Sequence, residues 1–139
     1  MPVIDTSVVL KWLFKEPGSD RALLLLEQES RFYAPDYLET EFLSGITKKC
    51  RAGLYSREVA YVKREQFTRI PIHLIPASSI RDLAFELASD YRITFYDALF
   101  LATAVHLDDH LVTADERLIR SLESTALSPM VLSLNNMLF

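Results

Sequence analysis

Four acidic side chains stand where an open α/β sheet would place its ligand-binding edge. Two of them follow short apolar segments with the character of β-strands, and the other two lie in the first turns of predicted helices. Ligands of such sheets bind beyond the carboxyl ends of the strands, so we expect these carboxylates to lie close together. A cluster of like charges either takes up protons or binds a cation. The four residues are Asp5, Glu41, Asp97 and Asp115.

The chemistry of an all-carboxylate cluster is specific. Carboxylates without histidine or cysteine are ligands for hard cations such as Mg²⁺ or Mn²⁺. These ions keep waters and bind phosphate oxygens, and the expected reaction is metal-assisted attack of water on a phosphodiester. Ser7 and Thr113 lie within two residues of Asp5 and Asp115, where their hydroxyls can orient a carboxylate or a bound water.

Each acid also has a purely structural interpretation. Asp5 and Asp115 precede predicted helices and fit the N-cap position, where a carboxylate accepts a backbone N–H. Thr94 and Asp97 have the three-residue spacing of a capping box. Glu41 lies beyond any cap and has no base one turn further along its helix, which is typical of a solvated acid. For each acid taken alone, both interpretations stay open.

Asp97 is embedded in an apolar segment. It belongs to the stretch TFYDALFLATAVH, whose alanine, leucine and valine residues follow a helical spacing. Its neighbours one turn on, Phe100 and Leu101, cannot pair with a charge. On the cation hypothesis the helix holds Asp97 rigidly at the edge of the sheet, and a metal ion is its partner.

Strand-like and helical segments alternate along the chain. This alternation predicts an α/β fold with a mostly parallel sheet and helices on both faces, formed by one domain over residues 1–139. Asp36 and Glu39 have capping-box spacing at the start of the third helix. The predicted strands are 3–4, 31–34, 72–75, 111–113 and 130–134. The predicted helices are 7–14, 20–29, 37–51, 56–68, 79–91, 95–107 and 116–122.

The charge balance argues against a protein that coats nucleic acid by simple attraction. The 139 residues include 19 acids and 15 bases and carry a net charge of −4. If four acids hold cations, the remaining charges balance, so a metal-dependent enzyme of this composition can still meet a polyanion.

The composition also predicts the compartment. The single cysteine, Cys50, excludes an internal disulfide and fits a reducing cytoplasm. The N-terminus lacks the basic and apolar pattern of a signal peptide, and the longest apolar runs fall short of the ~20 residues that span a bilayer. We therefore expect a cytoplasmic protein without a membrane partner.

A group of basic residues follows Glu41 on the same predicted helix. Lys48, Lys49 and Arg51 can hold RNA phosphates or form an ordinary solvated face, and the sequence does not decide between the two. The segment HLDDH resembles a metal-binding string, but no glutamate follows its first histidine. Its histidines are better explained as favourable charges at a helix C-terminus.

Four segments resemble the PIN-domain family, and within it the VapC-type toxins of toxin–antitoxin pairs. The segments are IDTSVVLKWL, APDYLETEFLSGI, YDALFLATA and LVTADERL, and the resemblance runs from residue 3 to about residue 118. It implies a three-layer α/β/α fold and Mg²⁺- or Mn²⁺-dependent endoribonuclease activity. The acid quartet of the family maps onto Asp5, Glu41, Asp97 and Asp115, and its hydroxyl positions map onto Ser7 and Thr113. Where family members often carry asparagine, this chain has Ser44.

The resemblance also implies partners. These are an RNA substrate, a small antitoxin whose tail lies across the active site, and a second copy of the chain in a homodimer. Two alternatives remain: a PIN-like module that binds RNA or protein without cutting, and a housekeeping RNA-processing nuclease of the same fold. A haloacid-dehalogenase-type phosphatase is excluded because Ser7 stands where it needs a second acid, and a receiver domain because Lys63 is the last lysine.

Overall fold

The computed structural model describes residues 1–139 as five strands and seven helices. Three short 3₁₀ turns, Ala77–Ser79, Ser128–Met130 and Leu134–Asn136, accompany them. The strands are β1 (Val3–Ile4), β2 (Phe32–Pro35), β3 (Ile72–Ile75), β4 (Leu111–Thr113) and β5 (Val131–Ser133). The helices are α1 (Thr6–Leu13), α2 (Ser19–Gln28), α3 (Tyr37–Arg51), α4 (Arg57–Phe67), α5 (Arg81–Asp90), α6 (Phe95–Leu107) and α7 (Glu116–Leu122).

All five strands are parallel and lie in the order β3-β2-β1-β4-β5. The chain therefore builds outward from β1 in one direction and then returns to add β4 and β5 on the other side. The point where the order reverses lies between β1 and β4, and this is where an open parallel sheet forms a crevice beyond its carboxyl ends. Because Ile4 is in register with Val112, Asp5 follows β1 level with Thr113 at the end of β4.

Helices cover the sheet in an α/β/α arrangement. On one side α1 packs against α2, α3 and α4, and on the other α5 packs against α6, which lies along β1, β2 and β4. Every residue of β1 and β4 is buried, as expected for strands covered on both faces. The α/β fold with a parallel sheet is confirmed.

The hydrophobic core is a cluster of 30 buried apolar residues. Phe32 from β2, Phe42 from α3 and Phe100 from α6 are among its largest fully buried side chains. Trp12 packs on Phe32 with ring centroids 4.9 Å apart. The rigid packing of these rings fixes the helices that carry the acids at the sheet edge.

All twelve predicted elements are present, and their ends differ from prediction by at most two residues. The largest difference is at the predicted helix 79–91, which is divided at Ile80. There φ is −128° and ψ is −3°, outside the helical region, so a 3₁₀ turn precedes α5. The predicted capping box at Asp36 is wrong, because Asp36 already has helical φ and ψ angles and its side chain makes no cap bond.

None of the seven helices has both the length and the apolar character needed to cross a membrane.

We expect Phe32→Ala to lower the free energy of unfolding by about 3–5 kcal/mol, because it removes a fully buried ring and leaves a cavity between sheet and helices. Phe85→Ala is the matched control, since Phe85 is 68% exposed on α5, and should change it by less than about 0.5 kcal/mol. Urea denaturation at pH 7 measures both. Equal losses for the two variants would contradict this description of the core.

Candidate metal centre

A cavity of about 520 Å³ opens beyond the carboxyl ends of β1 and β4. All four predicted acids line it, so the structure brings together residues that are up to 110 positions apart between Asp5 and Asp115. None of the four forms an ion pair with a lysine, arginine or histidine. The cavity is therefore lined by four carboxylates that lack a direct ion pair with a basic side chain.

Asp5 is the buried member of the quartet, with 7% of its surface exposed. Its Oδ1 accepts hydrogen bonds from the backbone N–H of Ser7 at 3.1 Å and from Ser7 Oγ at 2.5 Å. Its Oδ2 accepts a hydrogen bond from Thr113 Oγ1. The two hydroxyls predicted to orient a carboxylate both do so, and both act on Asp5.

Backbone N–H groups fix the orientation of these two hydroxyls. Ser7 Oγ accepts the backbone N–H of Ala114 at 3.0 Å, and Thr113 Oγ1 accepts that of Asp115 at 2.9 Å. Each hydroxyl thus uses its lone pairs on the backbone and its single proton on Asp5. The loop after β4 and the start of α1 are joined through this network.

Asp115 combines a structural role with its place in the cavity. Its Oδ1 accepts the backbone N–H of Arg117 at 3.0 Å and of Leu118 at 3.3 Å, which caps α7. Both bonds use the same oxygen, so Oδ2 is left for another partner. The capping interpretation of Asp5 and Asp115 is confirmed, and it does not compete with a second role at the cavity.

Asp97 lies in the first turn of α6, where Thr94 Oγ1 accepts its backbone N–H at 3.0 Å. Residues 98–104 behind it are all buried, so the helix is anchored in the core. Burial raises the pKa of Asp97, and Asp115 and Glu41 raise it further, while the Thr94 hydroxyl and the Arg117 guanidinium oppose the shift. The surrounding negative charges outweigh the single nearby base.

Glu41 is held by a residue that the sequence analysis did not identify. The hydroxyl of Thr6, which is buried in α1, donates a hydrogen bond to Glu41 Oε1 on α3. The two residues are 35 positions apart, and only the packing of α1 on α3 brings them together. A hydroxyl directly between Asp5 and Ser7 was the one sequence signal that pointed to Thr6.

The environment of Asp5 disfavours its charge. Burial raises the pKa of Asp5 to about 6, with a further increase from Asp115, although the hydroxyls of Ser7 and Thr113 and the backbone N–H of Val8 oppose it. Near neutral pH the carboxylate is therefore charged in surroundings that disfavour the charge. A cation in the cavity would stabilise the charged form and lower the pKa.

The donor set fits a hydrated hard cation. All the acidic donors are carboxylate oxygens, the ligands that Mg²⁺ and Mn²⁺ prefer. No three acidic, histidine or cysteine side chains converge into a closed ligand set. Mg²⁺ does not need one, because it keeps several waters and contacts only one or two carboxylates directly.

The three predicted RNA-contacting residues separate in the structure. Lys48 and Lys49 line the cavity with Ser44, but Arg51 lies in the last turn of α3 and lines a different groove, towards α4. Lys49 pairs with Glu16 at 3.2 Å, whereas Lys48 forms no ion pair. Arg51 therefore lies outside the acid cavity, since α3 extends past the cavity before it ends, and its contact with RNA stays a prediction.

The chain is similar to known proteins over most of its length. The family model of the PIN domain matches residues 3–122. The protein named ribonuclease VapC3 from Pyrobaculum aerophilum is 28% identical over 120 residues, covering 84% of this chain and 90% of that protein.

Two solved structures share the fold. The toxin–antitoxin complex from Klebsiella pneumoniae has a TM-score of 0.69 at 18% identity, covering 96% of this chain and 98% of its own. Mycobacterium tuberculosis VapC20, described as a sarcin–ricin loop cleaving toxin, has a TM-score of 0.64 at 11% identity, covering 82% and 88%.

We expect Asp5→Asn to stabilise the metal-free protein at pH 8 and not at pH 4. The carboxyl of Asp5 has a pKa of about 6 when folded against the usual 3.8, so the folded state binds the proton more tightly. Its destabilising effect is complete above pH 6 and disappears as pH falls towards 4. The gain at pH 8 should reach up to about 3 kcal/mol.

Urea denaturation with EDTA at both pH values measures this difference. Asp82→Asn, an exposed substitution on α5, is the control and should change the free energy of unfolding by less than about 0.5 kcal/mol at either pH. A stability difference between Asp5→Asn and the wild type that does not change between pH 4 and pH 8 would show that the carboxylate is not strained.

Proposed function

The chain belongs to the PIN-domain family, and we propose that it is a VapC-type endoribonuclease, the toxin of a toxin–antitoxin pair. The observation that carries the proposal is the cavity beyond β1 and β4, where four carboxylates meet and none of them forms an ion pair. Caps alone would not place Glu41 and Asp97 there, because neither uses its carboxylate to cap a helix.

The comparisons support the reaction class. The relative from Pyrobaculum aerophilum is named a ribonuclease, and VapC20 is described as a toxin that cleaves the sarcin–ricin loop. The Klebsiella pneumoniae neighbour is a toxin–antitoxin complex, which supports a cognate antitoxin for this chain as well. The proposal also includes a homodimer of this chain, a cytoplasmic location and a single domain over residues 1–139.

The cofactor in this proposal is Mg²⁺ or Mn²⁺, held by Asp5, Glu41, Asp97 and Asp115. When bound, such a cation neutralises the carboxylates, contacts phosphate oxygens and makes a water more acidic. The chain supplies the geometry: Ser7 and Thr113 orient Asp5, Thr6 orients Glu41, and the buried α6 fixes Asp97.

Other side chains of the cavity can bind a substrate phosphate or accept a proton. Lys48 lines the cavity without an ion pair, so its ammonium can hold a substrate phosphate. Lys49 is partly engaged by Glu16 and contributes a weaker field. Glu41 Oε2 and Asp115 Oδ2 have no hydrogen bond within the chain and can accept the proton of an attacking water. Ser44 lines the cavity beside them.

The test is cleavage of a labelled stem–loop RNA with Mg²⁺ or Mn²⁺. Asp97→Asn should lower the rate by more than about 100-fold, the upper end for groups that merely orient a metal ligand. EDTA should abolish cleavage, and the exposed control Asp82→Asn should cut like the wild type. No cleavage by a folded wild-type protein, with no melting shift on adding metal, would contradict the proposal and favour a binding module.

Thr6→Val should raise the metal concentration needed for half-maximal cleavage by about 10- to 100-fold, because it removes the hydroxyl that orients Glu41. Thr6→Ser restores a hydroxyl and should recover most of the affinity. Thr47→Val is the matched control, since this exposed threonine on α3 bonds only the carbonyl of Leu43. A metal requirement of Thr6→Val equal to that of Thr47→Val would rule out a role for Thr6 at the site.

A further inference from the structure

Aromatic side chains gather where α6 begins, next to the acid cavity. Tyr37 lines the cavity, and its ring is stacked on Tyr96 with centroids 4.9 Å apart and 23° between the ring planes. Phe95 contacts Tyr96 edge to face at 6.1 Å, and Phe100 contacts Tyr37 in the same way at 6.3 Å. Tyr96 is nevertheless 55% exposed.

The hydrophobic core does not require the ring of Tyr96. Tyr96 belongs neither to the core cluster nor to the partly buried residues packed on it, whereas Tyr37 does pack on the core. Single exposed aromatic residues are common on protein surfaces. Tyr96 differs because its orientation is fixed by a stacked partner that is itself anchored on Phe100.

The pair connects the two helices that carry cavity acids. Tyr37 lies one helical turn before Glu41 on α3, and Tyr96 directly precedes Asp97 on α6. A phosphate group placed at the acids would therefore bring an adjacent nucleotide to the tyrosine pair. Burial raises the pKa of Tyr37, and Glu41, Tyr96 and Asp97 raise it further, so its phenol stays neutral and adds no charge against a phosphate.

We propose that the stacked pair Tyr37–Tyr96 is a platform on which Tyr96 binds an unpaired nucleobase next to the cleaved phosphodiester. The proposal rests on the ribonuclease function proposed above and names its substrate class: RNA with an unstacked base at the cut. Base stacking on an aromatic ring tolerates all bases, and single-stranded loops are the part of RNA in which a base is free to stack.

A second copy of this chain is the rival occupant of this surface. Tyr96 directly precedes Asp97 on α6, both residues act on the phenol of Tyr37, and the carboxylate of Asp97 forms no ion pair. A nucleotide adjoining a metal-neutralised phosphate suits this neighbourhood better than an apolar protein surface.

The experiment measures kcat/KM for the same stem–loop RNA with the full chain and Mg²⁺. Tyr96→Ala should lower kcat/KM by about 5- to 100-fold, the effect of losing one base–aromatic stack. Tyr96→Phe keeps the π-face and should stay within about twofold of the wild type. Tyr61→Ala is the matched control, because Tyr61 is 69% exposed on α4, away from the cavity.

The decisive experiment uses a series of RNAs, each with one abasic nucleotide at a different position around the cut, and measures their cleavage by both proteins. At one position the abasic substrate should be a poor substrate for the wild type and should be cut equally well by Tyr96→Ala, since neither then has a stack to lose. A loss with Tyr96→Ala that persists at full size for every abasic position would overturn the inference, and so would the absence of any loss.

Three outcomes distinguish failure of the platform from failure of the ribonuclease proposal. Light scattering that shows a wild-type dimer and a Tyr96→Ala monomer would assign the surface to a second copy and overturn the platform. A wild-type protein that cuts no RNA overturns the ribonuclease proposal and the platform with it. Normal cleavage by both the wild type and Tyr96→Ala overturns the platform alone.

Discussion

The structure depends on keeping a carboxylate charged in a buried position. Asp5 lies between the central strand β1 and α1, level with the end of β4, so three elements meet at its side chain. Two hydroxyls and a backbone N–H hold both of its oxygens, yet burial still raises its pKa to about 6. The other three acids then add negative charge to the same cavity instead of removing it.

This arrangement exchanges stability for function. A folded chain without a cation carries mutual repulsion at the cavity, and the parallel sheet and buried α6 must hold the acids in place against it. Natural proteins commonly accept such local strain at active sites, where it is relieved by the ligand. On the proposed function, the same charges would repel a polyanion such as RNA unless Lys48 and a bound cation offset them.

Local patterns in the sequence were enough to predict the helices and strands and to select the four acids that line the cavity. Strands and helices alternate with clear periodicity, and an acid after a parallel strand must lie at the sheet edge, which placed Asp5 and Asp115 correctly. Contacts between distant elements were not predictable in this way. The bond from Thr6 to Glu41 and the stack of Tyr37 on Tyr96 depend on how α1, α3 and α6 pack together. The position of Arg51 outside the cavity was not predictable either, because it depends on where α3 ends relative to the cavity.

The most direct test of this account is the number of protons released when Mn²⁺ binds, measured by isothermal titration calorimetry in buffers of different ionisation enthalpy. A cation that replaces the proton on Asp5 should release about half a proton at pH 6, where that carboxyl has its pKa, and almost none at pH 8. Asp5→Asn should show a smaller difference between the two pH values, because Asp97, whose pKa is also raised, is then the remaining source of protons. Binding without proton release at pH 6, or no binding at all, would contradict the claim that a strained carboxylate cluster is completed by a metal ion.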